Sequence, residues 1–244
     1  MKISRKFFIF LLILFYSSVS LAGDELTFGS VAMDIPAVMH KRLKPLTKYL
    51  SKKLNRHVGL KLSPDMGNAQ LIAKTVTKGK ASFKLMIVVK QNSPIKSVSD
   101  LEGKSFAFGD EKALLQRAAV VESGLKLNQF KEYSFIGHYD NIARAVMNND
   151  FDAGILKDTM AYKWEGKGLR ILHSSPALPP YNIVASKNVS KAVLKELQEV
   201  FLSLDKNNPD DLKVIKAVDK KYDGFAATND KEYDVVRKLI APFE

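Results

Sequence analysis

Hydrophobic residues along the chain follow two spacings, which predict helices separated by short strands. Apolar residues recur at intervals of three and four between positions 37 and 53, as in a helix with one buried face. The same spacing follows Ser190, whose hydroxyl is suited to capping a helix. Short apolar runs predict strands at 26–32, 57–62, 71–76, 83–89, 151–156, 169–173 and 181–186. The alternation predicts an α/β fold with mostly parallel sheets flanked by helices.

Further helices are expected just before the middle of the chain and near its end. One opens near Asp110 and Glu111 and continues to about Glu122, where Gly124 can end it in the left-handed conformation. Two closing helices are expected at 210–218 and 233–240.

The stretch from residue 135 to 164 is the most informative part of the pattern. Its apolar residues mark one face of a short helix that follows a polar loop. Asp140 or Asn141 is expected to cap the start of this helix, and the asparagine pair at 148–149 is expected to end it.

A buried strand follows that helix. Residues 151–156 form an apolar run in which Gly154 allows another element to approach the backbone closely. The loops at 137–141 and 156–159 therefore place two strand ends beside two helix starts. Because ligands bind at such strand ends in open α/β sheets, we expect a small-molecule site here.

The first 22 residues predict export. Three basic residues precede an apolar run at 7–16, and Ser20-Leu21-Ala22 supplies small residues for cleavage after Ala22. The chain has no cysteine, so neither a lipid-attached cysteine nor a disulfide is possible. We therefore expect a free periplasmic protein, with an uncleaved anchor as the alternative.

The distribution of charge and the absence of catalytic motifs argue against several classes of function. The formal net charge is +12, but the basic residues are scattered, and an exported chain has little access to nucleic acid. No nucleophile elbow, phosphate loop or dinucleotide fingerprint is present. The four histidines are far apart, so we expect no metal site. Because these catalytic and cofactor-binding motifs are absent, we also expect no cofactor and no enzymatic activity.

A succession of segments resembles the phosphate/phosphonate-type periplasmic binding proteins of ABC importers. They are the opening strand and the end of its helix, then 95–104, Gly137-His138, 151–154 and 175–184. The resemblance implies a type 2 periplasmic-binding-protein fold, with two lobes, two crossing segments and a ligand cleft between the lobes. Lobe one would comprise 23–88 and 183–244, lobe two 89–182, and the hinges would lie at 88–91 and 181–184.

The chain also departs from that family. A helix–strand–helix unit usually follows the second strand, whereas here residues 63–70 lead almost directly to Leu71, which predicts an internal deletion in lobe one. Acidic Asp110 and Glu111 stand where phosphonate binders often present hydroxyl groups, and at a helix start they oppose a bound anion.

The expected ligand-binding residues come from the loops that would face the cleft. They are Met33, Asp34, Lys112, Gln116, His138, Asp140, Asn141, Lys157, Tyr181 and Asn182. Simpler roles stay open: a backbone-bonded His138, capping by Asp140 or Asn141, pairing of Lys157 with Asp158 or Glu111, and plain packing of Tyr181.

These expectations combine into one function. The protein is expected to be a monomeric solute-binding component of an ABC importer that takes a phosphonate-like or other small polar solute. Its partner would be a permease in the inner membrane. The alternative is an envelope receptor of the same shape that binds no solute and docks to a membrane sensor or another protein.

Overall fold

The computed structural model describes residues 26–30, 36–62, 69–111 and 113–243. Strands and helices alternate along them, which confirms the α/β class. In chain order these residues form β1 (Leu26–Ser30), α1 (Pro36–Lys53), β2 (Val58–Leu62), β3 (Ala69–Thr77), β4 (Leu85–Lys90), β5 (Ser105–Phe108), α2 (Leu114–Glu122), β6 (Glu132–Phe135), α3 (Tyr139–Asn148), β7 (Ala153–Lys157), α4 (Asp158–Trp164), β8 (Leu169–Ser174), β9 (Asn182–Ser186), α5 (Lys191–Leu202), α6 (Pro209–Val218), β10 (Tyr222–Ala226) and α7 (Asp234–Ile240).

One group of strands forms a five-stranded sheet in the order β6-β5-β7-β4-β8. β5 runs parallel to both β6 and β7, while β4 runs antiparallel to β7 and β8. Successive residues of β4 enter two different cores, one on each face of the sheet. This is why the run from Leu85 to Val89 is apolar at every position rather than at alternate ones.

The other strands form two smaller sheets. β3 lies between β9 and β10 and is antiparallel to both, whereas β1 pairs with β2 in parallel. Residues of α1, α5 and α6 pack with these strands in a single core that includes Leu46 and Phe201. The described sheets are therefore mixed, and not mostly parallel as the alternation of elements predicts, because β3 runs antiparallel to β9 and β10 in one sheet and β4 runs antiparallel to β7 and β8 in the other.

The chain passes between the two groups at places that differ from the expected hinges. The turn after β3 stays with that strand, because Thr77 and Lys80 exchange backbone hydrogen bonds of 3.0 and 3.1 Å. β4 lies wholly in the five-stranded sheet, so the first passage falls at residues 81–84. The second falls at 175–181, and the two passages bridge each other where Phe83 and Leu178 exchange backbone hydrogen bonds of 3.0 and 2.8 Å.

A third passage was not expected. Leu239 of α7 is buried in a core of the five-stranded sheet, so residues 183–244 do not all stay with β9. The connecting segment is held to the β3–β9 sheet by a hydrogen bond from the Tyr233 hydroxyl to Asn182 and an ion pair between Lys74 and Glu232.

The helix starts bring further corrections. His138, and not Asp140 or Asn141, is the residue before α3, and α2 begins at Leu114 rather than near Asp110. The expected ends are confirmed: Asn149 is left-handed with φ of 66° and Gly124 with φ of 100°. Ser190 caps α5 as expected, by accepting a hydrogen bond from the Val193 amide at 3.3 Å.

Some expectations fall on residues that the structure does not describe. They are the signal peptide at 1–22, Met33, Asp34, Lys112 and the connection at 63–68, which leaves only six residues between β2 and β3. Within the described ranges, no helix combines the length and the apolar character needed to cross a bilayer.

Candidate functional site

The carboxyl ends of three parallel strands meet at one edge of the five-stranded sheet. β5, β6 and β7 end there at Phe108, Phe135 and Lys157. The pairing of β5 with β6 continues into the loops, because the Gly137 amide donates to the Gly109 carbonyl at 2.9 Å. The loops after these strands are thus neighbours in space, and this edge is where open α/β sheets bind ligands.

A pocket lies between the end of β7 and the turn that follows β3. Its cavity volume is about 80 Å³. The five-stranded group contributes the start of α4, the other group contributes the turn, and the first two passages close one side. The lining residues are Thr77, Lys78, Lys80, Ser82, Phe83, Lys157, Asp158, Thr159, Tyr162 and Pro180.

Lys157 is the central cation of this pocket. Its Nζ lies 4.6 Å from the centre of the Phe83 ring and 5.6 Å from that of Tyr181, so the ammonium is held between two aromatic rings. Burial lowers the pKa of Lys157 below its usual 10.5, and the nearby charge of Asp158 opposes that shift. A lysine in this state gains from an anion that stabilises its charged form.

Asp158, the residue after Lys157, holds the surrounding backbone in place. Its side chain is buried, and its two carboxylate oxygens accept hydrogen bonds from the Lys84 amide at 3.1 Å and the Thr159 amide at 2.6 Å. The Asp158 amide in turn donates to the Lys84 carbonyl at 2.9 Å. Asp158 therefore fastens the first passage to the start of α4, and no ion pair joins it to Lys157 in the described structure.

The pocket brings together cations and hydroxyl groups. No carboxylate of the described residues lies within ion-pair distance of Lys78, Lys80 or Lys157. The hydroxyl groups belong to Thr77, Ser82, Thr159 and Tyr162. Ammonium and hydroxyl donors around one opening form a chemical environment suited to an oxyanion.

Gln116, which was expected to face the cleft, is buried and is not among the lining residues of this pocket. It is 6% exposed, and its Oε1 accepts a hydrogen bond from the Gly109 amide at 2.8 Å. A Cβ at Gly109 would lie 2.9 Å from the Gln116 Nε2 and 2.9 Å from the Gly137 carbonyl, so only glycine fits without displacing one of them. Gln116 thus fixes the backbone just after the end of β5 by its hydrogen bond to Gly109.

Tyr139 links this support to the pocket, although sequence reasoning gave it no role. Its hydroxyl lies 3.5 Å from the Gln116 Nε2, and burial raises its pKa. The charges of Tyr181 and Asp158 raise the pKa further, because both groups lie close to the Tyr139 hydroxyl. Its position directly after Gly137-His138 was the only signal in the sequence.

The other described candidates lie outside the pocket lining. His138 is exposed at the start of α3, and its side chain makes no capping bond there. Asp140 forms an ion pair with Lys163 at 3.2 Å, and the Asn141 side-chain Nδ2 donates to the Ile136 carbonyl at 3.0 Å. The Asn182 side-chain Oδ1 accepts from the Tyr233 hydroxyl, as described above. Their roles as ligand contacts stay predictions.

Metal binding finds no support in the described ranges, where no group of three histidine, aspartate or glutamate side chains is placed to hold an ion.

The family model for the phosphonate periplasmic substrate-binding protein of ABC transporters matches residues 63–233. The phosphonates-binding periplasmic protein of Escherichia coli (strain K12) is 25% identical over 193 residues, covering 72% of this chain and 55% of that protein. This chain thus spans about half the length of that curated relative.

Two solved structures are similar in fold. XAC2383 from Xanthomonas citri bound to ATP matches with a TM-score of 0.71 and 18% identity, over 89% of this chain and 96% of that chain. PhnD1 from Prochlorococcus marinus (MIT 9301) in complex with methylphosphonate matches with a TM-score of 0.66 and 20% identity, over 90% and 98%. Since the family model covers more than half of the chain, the protein belongs to the phosphonate periplasmic substrate-binding proteins of ABC transporters.

Proposed function

We propose that the protein is the periplasmic solute-binding component of an ABC importer and binds a small phosphonate-like or phosphate-like anion. The observation that carries this proposal is Lys157, a half-buried ammonium at the carboxyl end of a parallel strand, which forms no ion pair with any carboxylate in the described part of the chain. Lys78 and Lys80 approach the same opening from the other group of strands. One anion there would contact both groups at once.

The proposed mechanism is closure of two lobes around the solute. Lobe one would comprise residues 26–80 and 182–226, and lobe two 85–174 and 234–243, with the three passages acting as hinges. An anion that bridges Lys157 and the β3 turn favours the closed state by its differential affinity for that state. The inner-membrane permease would then recognise the closed surface.

Thermal unfolding of the exported protein with methylphosphonate, phosphate and ethanesulfonate tests the proposal. A bound ligand at a hundredfold excess over its Kd should add about 2.7 kcal/mol to the free energy of unfolding. Lys157→Met should abolish the gain. Lys167→Met, a matched change at an exposed lysine in the turn after α4, should leave it intact.

A lack of stabilisation by every anion in the panel would contradict the proposal. Retention of a membrane protein by the unliganded chain would then favour the alternative role of a docking receptor. If Lys157→Met and Lys167→Met lose the ligand-induced stabilisation equally, the protein still binds the solute, but the assignment of the binding site to this pocket is wrong.

A further inference from the structure

We propose that the pocket selects anions whose substituent is uncharged and rejects zwitterionic ones that carry an ammonium group. This inference rests on the proposed function and concerns the substituent of the phosphonate rather than its oxyanion. It follows from three observations on the pocket: the sign of its charges, the bonds already made by its carboxylates, and the occupation of its aromatic rings.

The charges that face the opening are mainly positive. Lys78, Lys80 and Lys157 line it, and Lys221 lies close enough for its charge to lower the pKa of Lys157. A phosphonate dianion is attracted by this field, but an ammonium on the same small molecule is repelled by it. The distance available within the pocket is too short for solvent to screen that repulsion fully.

The nearby carboxylates are already engaged by donors of the protein. Asp158 accepts from the Lys84 and Thr159 amides, as described above. Asp219 accepts from the Lys221 amide at 2.8 Å, and Asp223 accepts from the Gly79 amide at 3.1 Å and pairs with Lys216 at 3.5 Å. An ammonium on the ligand would therefore meet carboxylates whose charge is already shared with donors of the protein, which weakens their attraction for it.

The two aromatic rings nearest Lys157, those of Phe83 and Tyr181, already hold its ammonium. Its Nζ stands over both Phe83 and Tyr181, so a second cation on either ring would meet a like charge. An alkyl group meets no such penalty, because it can pack against Pro180 and the exposed side of the Tyr162 ring.

Isothermal titration with two ligands of equal heavy-atom count tests this selection. Propylphosphonate and 2-aminoethylphosphonate differ only in a terminal methyl or ammonium group. Propylphosphonate should bind at least tenfold more tightly, and N-acetylation of the aminoethyl ligand should restore most of the lost affinity by removing its charge.

The outcomes separate the two proposals. Binding of 2-aminoethylphosphonate as tightly as propylphosphonate would leave the proposed function standing and overturn the selection. If neither ligand nor methylphosphonate binds, the proposed function is wrong and the selection falls with it.

A protein variant locates the origin of the preference. Replacing both turn lysines (Lys78→Gln with Lys80→Gln) should weaken propylphosphonate binding and reduce the preference between the two ligands at least threefold. The control, Lys187→Gln with Lys206→Gln, makes the same change of net charge at exposed positions away from the pocket and should leave the preference unchanged. An unchanged preference in the turn variant, with its fold intact by circular dichroism, would overturn the assignment to these lysines.

Discussion

The two groups of strands are built differently. The five-stranded sheet is covered on both faces by separate cores. Its parallel strands β5, β6 and β7 end together at the edge proposed to bind the solute, the ligand edge. The described strands of the other group form a three-stranded antiparallel sheet and a separate pair, around one core. The first group therefore contributes to the candidate pocket from strand ends that are packed on both faces of the sheet, and the second group contributes the lysines of the turn after β3.

Helix caps follow the same division. α5 and α6, in the second group, are capped by the side chains of Ser190 and Asn208. α2, α3 and α4, which follow the strands of the ligand edge, receive no hydrogen bond from the side chain at the capping position. The comparison suggests that capping stabilises the helices of the second group, whereas the first group relies on packing from both faces.

The largest expected effect separates the two cores. Phe106→Ala and Phe201→Ala each remove a fully buried ring and should each lower the free energy of unfolding by about 3–5 kcal/mol. Only Phe106 lies in a strand of the ligand edge, so its variant should lose more methylphosphonate affinity. Urea unfolding measures the stability of the two variants, and titration of the folded proteins measures their affinity for methylphosphonate. Equal losses of affinity would contradict the assignment of the ligand site to the five-stranded sheet.

A tighter test concerns the packing of α3 on the sheet. Gly154→Ala should cost about 1–3 kcal/mol, because its Cβ would lie 2.5 Å from the Ile142 Cγ2 and 3.2 Å from the Ala107 carbonyl. In a double-mutant cycle with Ile142→Ala, the cost of the added Cβ should shrink. Additive losses would place the strain on the backbone rather than on Ile142.

The pH dependence of binding tests Lys157. Its pKa is lowered by burial, so in the free protein it deprotonates below the usual 10.5, and a bound anion favours the charged form. Affinity should therefore fall as pH rises through this range, where the phosphonate is already fully ionised. A loss of about tenfold corresponds to one unit of pKa, or about 1.4 kcal/mol. Lys157→Met should bind weakly and show a flatter profile.

A smaller effect is expected from the caps. Ser190→Ala should destabilise the protein by about 1 kcal/mol, since the Val193 amide loses its acceptor. His138→Ala should change stability by less than about 0.5 kcal/mol, because its side chain caps nothing. Thermal unfolding of both variants measures these losses, and a larger loss of stability in His138→Ala than in Ser190→Ala would contradict the prediction.

The smallest expected effect is at the surface. Asp140→Asn removes an ion pair in which the side chains of Asp140 and Lys163 are 51% and 55% exposed. Exposed pairs contribute at most about 1 kcal/mol, so the unfolding free energy should scarcely change. A large loss would indicate a structural role for the loop before α3.

Most elements could be predicted from local pattern, but their assembly could not. The apolar run at 83–89 predicts a strand, yet its neighbours in the sheet come from β7 and β8, far along the chain. β10 was missed because Gly224 and the polar residues around it give the segment little strand character. The helix at 233–240 was expected, but nothing local indicates that it packs against α2.

The candidate site was predicted in part. Lys157 and Tyr181 were both expected as ligand contacts, and the structure places Lys157, the last residue of β7, close to the ring of Tyr181, which precedes β9. The inward hydrogen bond between Gln116 and the Gly109 amide could not be foreseen, since the helical spacing does not fix which way this side chain points. The contribution of Lys78 and Lys80 was missed because an exposed turn with two lysines resembles an ordinary solvated surface.

The sequence by itself determined the α/β class, most strands and helices, and the stretch that ends at Lys157, because periodicity and turn residues act over a few neighbouring positions. Only the tertiary structure decided which strands pair, that α7 returns to the five-stranded sheet, and that Phe83, Lys157 and Tyr181 form one cluster. These outcomes depend on contacts between residues far apart in the chain, and their energies are set by burial and geometry that no local pattern contains.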